Sequence, residues 1–524
     1  MCGIFFVKKL LTSKDILESE FNKSKNRGPD DNKFLDLIEY YMGFHRLSIN
    51  GLNINSNQPF YKNGIYLICN GEIYNFKELY NNIGIKPETE SDCEIIIDLY
   101  MLYPIDYFIN LLDGVFAFII YDTNKNVINV GRDPFGVRPL FYSEDCYLFS
   151  SELKQINNLT DKKIYQFPPG YYLIKNNVNN INHFVRYFSL TQFLLPTCPQ
   201  YKTFYNEENF YKSIVKNTLI TAVKKRLLSD RPFACLLSGG LDSSLITSIV
   251  CELTKYSNNK LETFSIGLKE STDLKYAKKV SEYLNTNHTE IVLSEDDFFN
   301  AIPTVIEKIE SYDTTTVRAS VGNYLISKYI SENSNAKVIF NGDGSDEVTG
   351  GYLYCNKAPN DLLFDYEIKS LLNNIHNFDV LRSDRCISSC GLEPRTPFLD
   401  KTFVSMYLSI PIYYRRQKLQ IEKKLLRDSF MEFLPNEVLY RKKEAFSDGV
   451  SGEDRSWYKI IEEKLKDIDI SNFKYNSEYL TPKTKEQLYY RSIFEEKFPG
   501  REKIIPYFWM PKWSNTTDPS ARTL

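Results

Sequence analysis

Short apolar runs separated by turn residues dominate the first 190 residues of the chain. The runs are strand-length and rich in β-branched and aromatic residues, and Gly, Asn and Asp punctuate them. They read CGIFFV, GIYLICN, VFAFIIYD, VINVGRD, PLFYS and YLFSSE. A helical pattern stands between two of them at DCEIIIDLYMLY, residues 92–103. This mixture predicts packed antiparallel sheets with helices outside, an α+β domain over residues 1–190.

The apolar pattern changes after a stretch without periodicity. Residues 191–212 read TQFLLPTCPQYKTFYNEENFYK, with no sustained helix or strand period, and are predicted to be a linker. From residue 213 onward the chain alternates strand, turn and helix. Strands are predicted at 232–237, 262–268, 289–294 and from 337, and helices at 242–256 and 273–285.

That alternation predicts a parallel sheet with helices on both faces, an α/β domain over residues 213–524 whose last part, from 355, is mostly helical. Ligands of such sheets bind at the carboxyl ends of the strands. Motifs that follow the strands at 237 and 341 are therefore the first places to look for a site.

Composition is that of a globular protein with two or three domains, since 524 residues exceed one ordinary core. The net charge of −3 lacks the basic balance of a nucleic-acid-binding protein. No apolar run reaches the roughly 18 residues of a membrane span, and no charged segment precedes the first apolar run as in a secretory signal. We therefore expect a cytoplasmic protein without nucleic-acid or membrane partners.

Cysteine and histidine usage excludes two further classes. Ten cysteines stand at uneven spacing without a CxxC pair, and the chain has four histidines. This argues against a zinc site, and a disulfide framework is not expected in a chain of this length. The thiols are expected to be reduced.

The first candidate for chemistry is Cys2, in the opening MCGIFF. Removal of Met1 would give this residue both a thiol and an α-amine, and the amine titrates at about 8, low enough to act as base toward its own side chain. Taken alone, a small hydrophobic residue at the start of a buried strand explains MCG more simply.

Other residues of the first domain supply the remaining parts of a site for a free amino acid with a side-chain amide. Arg46 in HRLSIN offers a bidentate carboxylate clamp. Asn70 and Gly71 in CNGEIYN offer an oxyanion pocket. Asp92 in ESDCE offers an acceptor for an ammonium group.

These segments, with RGPD at 27–30 and GRDPFG at 131–136, resemble the class II glutamine amidotransferase domain. The resemblance implies the N-terminal-nucleophile fold of two stacked antiparallel sheets, and attack of Cys2 on the glutamine side chain to release ammonia. The glutamine pocket that it implies consists of Arg46, Leu47, Ser48, Ile49, Asn50, Asn70, Gly71, Glu72 and Asp92.

The second candidate is the loop LLSGGLDSS at 236–244, between a strand and a helix. Gly239 and Gly240 let backbone N–H groups approach a phosphate, and the helix start adds donors and a positive dipole end. Asp242 is suited to bind a Mg²⁺ ion that accompanies the phosphates. Ser238, Ser243 and Ser244 add hydroxyls. A plain Ser/Gly helix cap is the simpler reading of such a loop, but the full motif in this setting is more specific than that.

Three later segments offer partners for this loop. Asp343 and Asp346 in NGDGSDE follow another strand, and Lys443 in RKKEAFSDG would offset charge on a leaving pyrophosphate, although a lysine run is more often a solvated face. YDTTTVRAS adds groups suited to anchoring a carboxylate or phosphate: Thr315, Thr316 and Arg318.

The loop resembles the PP-loop of ATP pyrophosphatases, and the whole chain resembles the glutamine-hydrolysing asparagine synthetase family almost end to end. Further matching segments are GSDEVTGGYLY, PFLDK, EKKLLRDSF, YRSIFEEKFP and DPSAR. The resemblance implies glutamine, aspartate and ATP as substrates, Mg²⁺ at Asp242 and Asp346, β-aspartyl-AMP as intermediate, and a homodimer as one option. It also implies that Leu237, Ile266, Asn341 and Gly342 line the ATP pocket.

One position departs from the family. Asp343 stands where the family loop usually carries glutamate, in reach of the intermediate and the incoming ammonia. Three rivals remain at this stage. A β-lactam synthetase would lack Cys2, a sugar or phosphoribosyl amidotransferase has no use for SGGLDSS, and a catalytically idle homologue is supported by Asp343 alone.

Overall fold

The computed structural model describes residues 1–9, 12–192, 207–257, 259–416, 421–452, 454–466, 468–469, 475, 477–520 and 523. Most of the predicted linker, residues 193–206, lies outside these ranges. Its C-terminal end is helical, because helix α5 begins at Glu207.

Two antiparallel sheets form the N-terminal region. Their strand orders are β10-β8-β9-β1-β3-β2 and β12-β11-β7-β6-β5-β4. The strands are β1 Gly3–Lys8, β2 Asp31–Asp36, β3 Tyr40–Arg46, β4 Phe60–Lys62, β5 Ile65–Ile73, β6 Gly114–Asp122, β7 Val127–Arg132, β8 Phe141–Ser143, β9 Leu148–Ser150, β10 Ile164–Gln166, β11 Tyr171–Asn176 and β12 Ile181–Arg186.

The two sheets pack face to face through alternate residues of their strands. In β6, Ala117 and Ile119 face the first sheet in a core that also holds Phe6 of β1, whereas Phe116 and Phe118 face away, toward helices. Because both faces of β6 are covered, its sequence is a continuous apolar run rather than an alternating one.

Four helices belong to this region: α1 Lys14–Asn22, α2 Phe76–Ile83, α3 Ile95–Leu102 and α4 Ile105–Leu111. Helices α2 to α4 cover the outer face of the second sheet. The outer face of the first sheet shares a core with the C-terminal region, in which Phe5 and Leu153 belong to the same cluster as Ile306. The two regions are thus joined by apolar packing as well as by the chain.

The C-terminal region is built on a parallel sheet with the order β15-β14-β13-β16-β17. Its strands are β13 Phe233–Leu236, β14 Glu262–Gly267, β15 Asn287–Val292, β16 Val338–Phe340 and β17 Glu393–Arg395. The chain leaves β13 toward β14 on one side and later returns to β16 on the other side. The crevice at the carboxyl ends of β13 and β16 is therefore the topological switch point where such sheets bind ligands.

The helices of this region are α5 Glu207–Lys225, α6 Leu241–Leu253, α7 Thr272–Leu284, α8 Glu295–Asn300, α9 Ile302–Ile309, α10 Thr314–Asn333, α11 Ser345–Thr349, α12 Asp361–Asn374, α13 Asp379–Ser388, α14 Lys401–Ser409, α15 Ile412–Arg415, α16 Lys424–Ser429, α17 Asn436–Leu439, α18 Phe446–Gly449, α19 Trp457–Lys466 and α20 Lys485–Lys497. Within the described ranges, every helix is too short or too polar to cross a bilayer.

The predicted fold class is confirmed: an α+β sandwich of two antiparallel sheets precedes an α/β domain with a parallel sheet and a helical C-terminal part. The pattern missed the strands with atypical sequences. Strand β12 lies at a sheet edge and is largely exposed. Strand β3 is wholly buried yet contains Gly43, His45 and Arg46, and Gly43 is needed because a Cβ there would lie 2.6 Å from the ring of Phe21.

Candidate active sites

Cys2 lies where three strands of the sandwich meet. It directly precedes β1, and its backbone N–H donates to Oδ1 of Asn70 in β5 at 3.2 Å. Its thiol lies 3.8 Å from the carbonyl oxygen of Leu47, which follows β3. The carbonyl oxygen of Cys2 accepts from Nε of Arg27 at 3.1 Å. The nucleophile predicted from MCG is thus fixed from both sides of its backbone.

The protonation state of the thiol calls for a nearby base. Burial raises the pKa of Cys2 to about 11, while the neighbouring α-amine opposes this rise. In this chain with Met1 in place, the amine belongs to Met1 and lies 3.6 Å from Glu393. Removal of Met1 transfers the α-amine to the nitrogen of Cys2, one residue from its own thiol.

The predicted oxyanion pocket is supported by an unused donor. Nδ2 of Asn70 is buried and has no hydrogen-bond partner among the described residues. The adjoining Gly71 has no room for a side chain, because a Cβ would lie 2.5 Å from the carbonyl oxygen of Val115. An amide donor and a backbone that approaches closely suit the negative oxygen of a tetrahedral intermediate.

The loop after β3 carries the predicted glutamine clamp. The guanidinium of Arg46 donates to the carbonyl oxygens of Asn53, at 2.9 Å, and Gly51. The backbone N–H of Ser48 donates to Asp30 of the RGPD segment at 2.8 Å. Leu47 and Ile49 are buried. The clamp is therefore held in place by its own loop.

Two buried carboxylates complete this site. Oδ2 of Asp92 accepts from the backbone N–H of Ile73 at 2.7 Å, and burial raises the pKa of Asp92 to about 6. Glu72 accepts from Nδ2 of Asn50 at 2.5 Å, and burial followed by the charge of Asp92 raises the pKa of Glu72 well above its usual value. Two acidic groups close together suit a ligand that brings a positive charge.

The second site is a cavity of about 210 Å³ at the switch point of the parallel sheet. Most residues predicted for the synthetase site line it: Leu237, Ser238, Gly240, Asp242, Ser243, Ile266, Thr315, Thr316, Asn341, Gly342, Asp343, Asp346 and Lys443. Gly239 and Ser244 stand behind it. Gly239 has φ +71° and packs so closely that a Cβ would lie 2.4 Å from the backbone of Ala277, and the hydroxyl of Ser244 is buried.

The predicted phosphate loop has its own hydrogen-bond frame. The hydroxyl of Ser243 accepts from the backbone N–H of Ser238 at 3.1 Å, and the two hydroxyls lie 2.9 Å apart. Helix α6 starts directly after Gly240. Its first backbone N–H groups therefore remain available for phosphate oxygens.

Two aspartates and two lysines meet beside this loop. Nζ of Lys443 lies 2.5 Å from Oδ2 of Asp346, and Nζ of Lys423 lies 2.7 Å from Asp242 and 2.6 Å from Oδ1 of Asp346. Burial opposes both charges, but Lys423 and Lys443 lower the pKa of Asp346, and Asp346 and Asp242 raise the pKa of Lys443. Oδ1 of Asp346 forms no hydrogen bond of good geometry in the described part of the chain.

This pair of aspartates fits a magnesium ion. The described residues contain no cluster of three or more acidic, histidine or cysteine side chains that could hold a metal alone. Mg²⁺, however, usually binds one or two carboxylates and takes its remaining ligands from substrate phosphates and water. Asp242 and Asp346 already converge on a single cationic atom, Nζ of Lys423.

Asp343 lines the same cavity. Its Oδ1 accepts from Arg382 at 2.9 Å, and its Oδ2 is buried without a partner in the described ranges. Burial raises the pKa of Asp343, and Arg382 opposes the rise. The free oxygen is thus available to a ligand.

The predicted acceptor anchor is only partly assembled. The hydroxyl of Thr316 donates to Asp313 at 2.7 Å in a helix cap, and the hydroxyl of Thr315 has no partner within the described residues. Arg318 does not line the cavity: it donates to Glu486 at 2.6 and 2.8 Å and to Asp518 at 2.8 Å. Its placement corrects the sequence-based expectation, because both carboxylates compete for its donors.

A short series of contacts joins the two sites. Arg395, at the end of β17, lies 3.3 Å from Glu72 of the glutamine site. The carbonyl oxygen of Arg395 accepts from the backbone N–H of Asn341 at 3.1 Å, and Asn341 lines the cavity. The two sites therefore abut the same buried layer of residues.

Comparison with known families accounts for both halves of the chain. The glutamine amidotransferase domain family matches residues 1–191, and the asparagine synthase family matches residues 215–366 and 364–517. The asparagine synthetase [glutamine-hydrolyzing] of Homo sapiens is 41% identical over 560 residues, covering 100% of this chain and 98% of the human protein. The chain belongs to the glutamine-hydrolysing asparagine synthetase family.

A second curated relative agrees with this membership. The corresponding protein of Gallus gallus is 40% identical over 558 residues, with 100% of this chain and 98% of that protein covered. Among solved structures, the glutamine phosphoribosylpyrophosphate amidotransferase of B. subtilis is 14% identical, covers 56% of this chain and 91% of that chain, and has a TM-score of 0.33.

Three residues of this family member were not predicted as site residues. Arg27 holds the carbonyl group of Cys2, Arg382 holds Asp343, and Lys423 bridges Asp242 and Asp346. Arg27 and Lys423 do fall in the segments RGPD and EKKLLRDSF that carry the resemblance. Arg382 lies in helix α13, where no local pattern separates it from a surface arginine.

Proposed function

We propose that this chain makes asparagine from aspartate, ATP and glutamine, with glutamate, AMP and pyrophosphate as the other products. The observation that carries this proposal is the pairing of two sites in one chain. A half-buried cysteine beside an unused amide donor suits glutamine hydrolysis, and a phosphate loop beside paired aspartates and lysines suits activation of an acid by ATP.

In the first site, the thiol of Cys2 attacks the side-chain carbonyl of glutamine once Met1 has been removed. The α-amine of Cys2 takes the thiol proton and returns it to the leaving ammonia. Nδ2 of Asn70 and the backbone N–H of Gly71 stabilise the oxyanion. Water then hydrolyses the thioester, and glutamate leaves. Arg46 binds the α-carboxylate of the substrate, and Asp92 and Glu72 bind its ammonium group.

In the second site, the loop of Ser238 to Ser244 binds the phosphates of ATP, and Leu237 and Ile266 border its adenosine part. An oxygen of the aspartate side-chain carboxylate attacks the α-phosphorus, and the bond to the β-phosphate oxygen breaks. Lys443 offsets the charge on the departing pyrophosphate. Magnesium held by Asp242 and Asp346, when bound, would neutralise phosphate charge and orient the leaving group.

Ammonia then completes the reaction. It passes from the first site to the second without meeting bulk water, because water would protonate it and remove its lone pair. It attacks the acyl carbon of β-aspartyl-AMP, AMP departs, and the surplus proton goes to a base. Asp343 is the base we propose, since its Oδ2 is buried, unpartnered among the described residues and in the cavity. Thr315 anchors the acceptor.

The cellular compartment, the partners and the oligomeric state are also part of the proposal. We infer that the enzyme works in the cytoplasm on small molecules, without nucleic acid, and that a homodimer is compatible with the fold. The domain division proposed from the sequence is residues 1–190, a linker at 191–212 and residues 213–524.

Product identification tests the proposal directly. The purified chain is incubated with glutamine, ATP, Mg²⁺ and a panel of amino acids including aspartate, and products are identified by mass spectrometry. We expect asparagine, AMP and pyrophosphate in equal amounts and only with aspartate present, together with at least as much glutamate. ADP in place of AMP, or an amide of another acid, would contradict the proposal.

The intermediate has a separate test. Labelled pyrophosphate should exchange into ATP when aspartate is present and no ammonia source is available, because adenylation is then reversible. Exchange that is independent of aspartate would count against β-aspartyl-AMP. No exchange, together with glutamine that binds without hydrolysis, would favour the idle homologue.

A further inference from the structure

Lys423 occupies the place where a cation is needed. Its Nζ lies 2.7 Å from both carboxylate oxygens of Asp242, 2.6 Å from Oδ1 of Asp346 and 3.3 Å from the hydroxyl of Ser345. The side chain is 1% exposed. Three carboxylate oxygens and a hydroxyl therefore converge on one cationic atom at hydrogen-bond distances.

The surrounding chain is shaped to let Lys423 reach this position. Its backbone is in the left-handed region with φ +58°, which residues other than glycine seldom adopt. Gly351 makes room for the side chain, since a Cβ there would lie 1.9 Å from Cε of Lys423. A surface lysine that happened to fall near two acids would need neither feature.

A metal ion and this ammonium compete for the same oxygens. Two cations within about 3 Å of each other at a buried site repel strongly. Without nucleotide, Asp242 and Asp346 carry two negative charges, and Lys423 and Lys443 carry two positive charges, so the group is balanced. Nucleotide phosphates change this balance by adding several negative charges that attract a displaced lysine.

We propose that Lys423 is a placeholder for the magnesium ion: it holds Asp242 and Asp346 together in the nucleotide-free enzyme and is released to the phosphates when magnesium arrives with ATP. Metal alone therefore binds weakly, and metal with nucleotide binds well. Lys423 thus couples metal binding to nucleotide binding, a role separate from that of Lys443. This inference rests on the proposed magnesium-dependent reaction.

The test measures metal binding rather than turnover. Mn²⁺, the probe, is titrated into the nucleotide-free full-length protein, and free Mn²⁺ is followed by electron paramagnetic resonance. We expect Lys423→Met to bind Mn²⁺ at least about tenfold more tightly than the unsubstituted chain, because the competing charge is gone while the length of the side chain is kept. Equal affinity in the two proteins would overturn the placeholder role.

A neighbouring lysine supplies the matched control. Lys424 pairs with Asp428 and does not line the cavity, so Lys424→Met should bind Mn²⁺ as the unsubstituted chain does. Tighter binding by this variant too would mean a general charge effect and would overturn the inference. The double variant D242N/K423M should lose the tighter Mn²⁺ binding that Lys423→Met shows. If it retains the gain, the Mn²⁺ lies elsewhere and the inference fails.

A second titration separates this inference from the reaction on which it rests. With the α,β-methylene analogue of ATP present, the unsubstituted chain should bind Mn²⁺ tightly, and the advantage of Lys423→Met should disappear. If the unsubstituted chain fails to bind Mn²⁺ even with the analogue, the magnesium-dependent reaction and the inference both fail. If it binds with the analogue but Lys423→Met shows no gain without it, only the placeholder fails.

Discussion

The glutamine site and the synthetase cavity handle polar groups in opposite ways. In the glutamine site most of them are already satisfied by nearby backbone: Arg46 donates to loop carbonyls, and Asp92 accepts from Ile73. In the cavity, Oδ2 of Asp343 and the hydroxyl of Thr315 lack hydrogen bonds within the described residues, and Oδ1 of Asp346 is held by the charge of Lys423 at 2.6 Å.

The difference follows from the substrates that we propose for them. Glutamine is a neutral zwitterion whose reacting amide needs one nucleophile and an oxyanion donor. ATP brings several negative charges and a metal ion, so its site needs oxygens and ammonium groups that can change partners. The glutamine site is thus preformed, whereas the cavity must exchange contacts. Because the chemical groups of the two sites are separate, loss of one activity should leave the other intact.

The largest effect is expected from loss of the nucleophile. Cys2→Ala should lower glutamine hydrolysis at least about 10³-fold, since no other group supplies the attacking sulfur. Ammonium chloride should still support asparagine synthesis, because the cavity is untouched. Glutamate release and asparagine formation are measured side by side. Cys251→Ser, a partly buried thiol outside both sites, is the control, and glutaminase turnover that survives Cys2→Ala would refute the assignment.

The variant Lys443→Met should have the opposite effect, loss of synthesis without loss of glutamine hydrolysis. It should lower ammonia-dependent synthesis by roughly 10²–10³, because the charge beside the leaving pyrophosphate is removed at constant side-chain length. Glutamine hydrolysis should continue. Production of AMP and of glutamate reports the two activities. Lys279→Met, at an exposed ion pair, should change neither, and an equal loss of both activities in Lys443→Met would mean that the halves are not separable.

Acid pH should weaken the glutamine site through Asp92. Burial raises the pKa of this carboxyl to about 6, so it becomes neutral and loses its attraction for an ammonium group as the pH falls below that value. We expect kcat/KM for glutamine to decline by about tenfold per pH unit in this range. Asp92→Asn should remove the break in the profile while lowering kcat/KM throughout. A profile that stays level down to pH 5 would speak against the role of Asp92.

The smallest effect is expected where the chain departs from its family. Asp343→Glu should preserve or raise synthetase turnover, because the added methylene moves the carboxylate by about 1.5 Å toward a ligand in the cavity. Asp343→Asn, which keeps the size but removes the base, should lower turnover. AMP production in the steady state measures both variants. A large loss in Asp343→Glu would show that the pocket is built around the shorter side chain and its contact with Arg382.

The sequence predicts the fold where local signals are strong. The apolar run of β6 and the loop at Gly239 and Gly240 are examples, since each feature requires residues that stand next to one another in the chain. Edge strands such as β12 are not predicted, because an exposed strand needs no apolar pattern. The sequence is therefore most informative about buried strands and tight turns.

Site residues that depend on distant partners are harder to predict. Arg318 follows two threonines that line the cavity, yet Glu486 and Asp518 bind it, and these lie 168 and 200 residues away. Arg382 reaches the cavity from helix α13, and Lys423 reaches it from the position that caps the start of helix α16. Packing decides these cases, and the order of residues in the chain does not show it.

Transfer of labelled nitrogen tests the central claim, that nitrogen released at Cys2 becomes the amide made in the cavity. The chain is given glutamine labelled with ¹⁵N in its side-chain amide, together with aspartate, Mg²⁺, ATP and an excess of unlabelled ammonium. We predict that most of the asparagine carries ¹⁵N, and that Cys2→Ala gives only unlabelled asparagine. Asparagine that carries the label merely in proportion to total free ammonium would contradict the account.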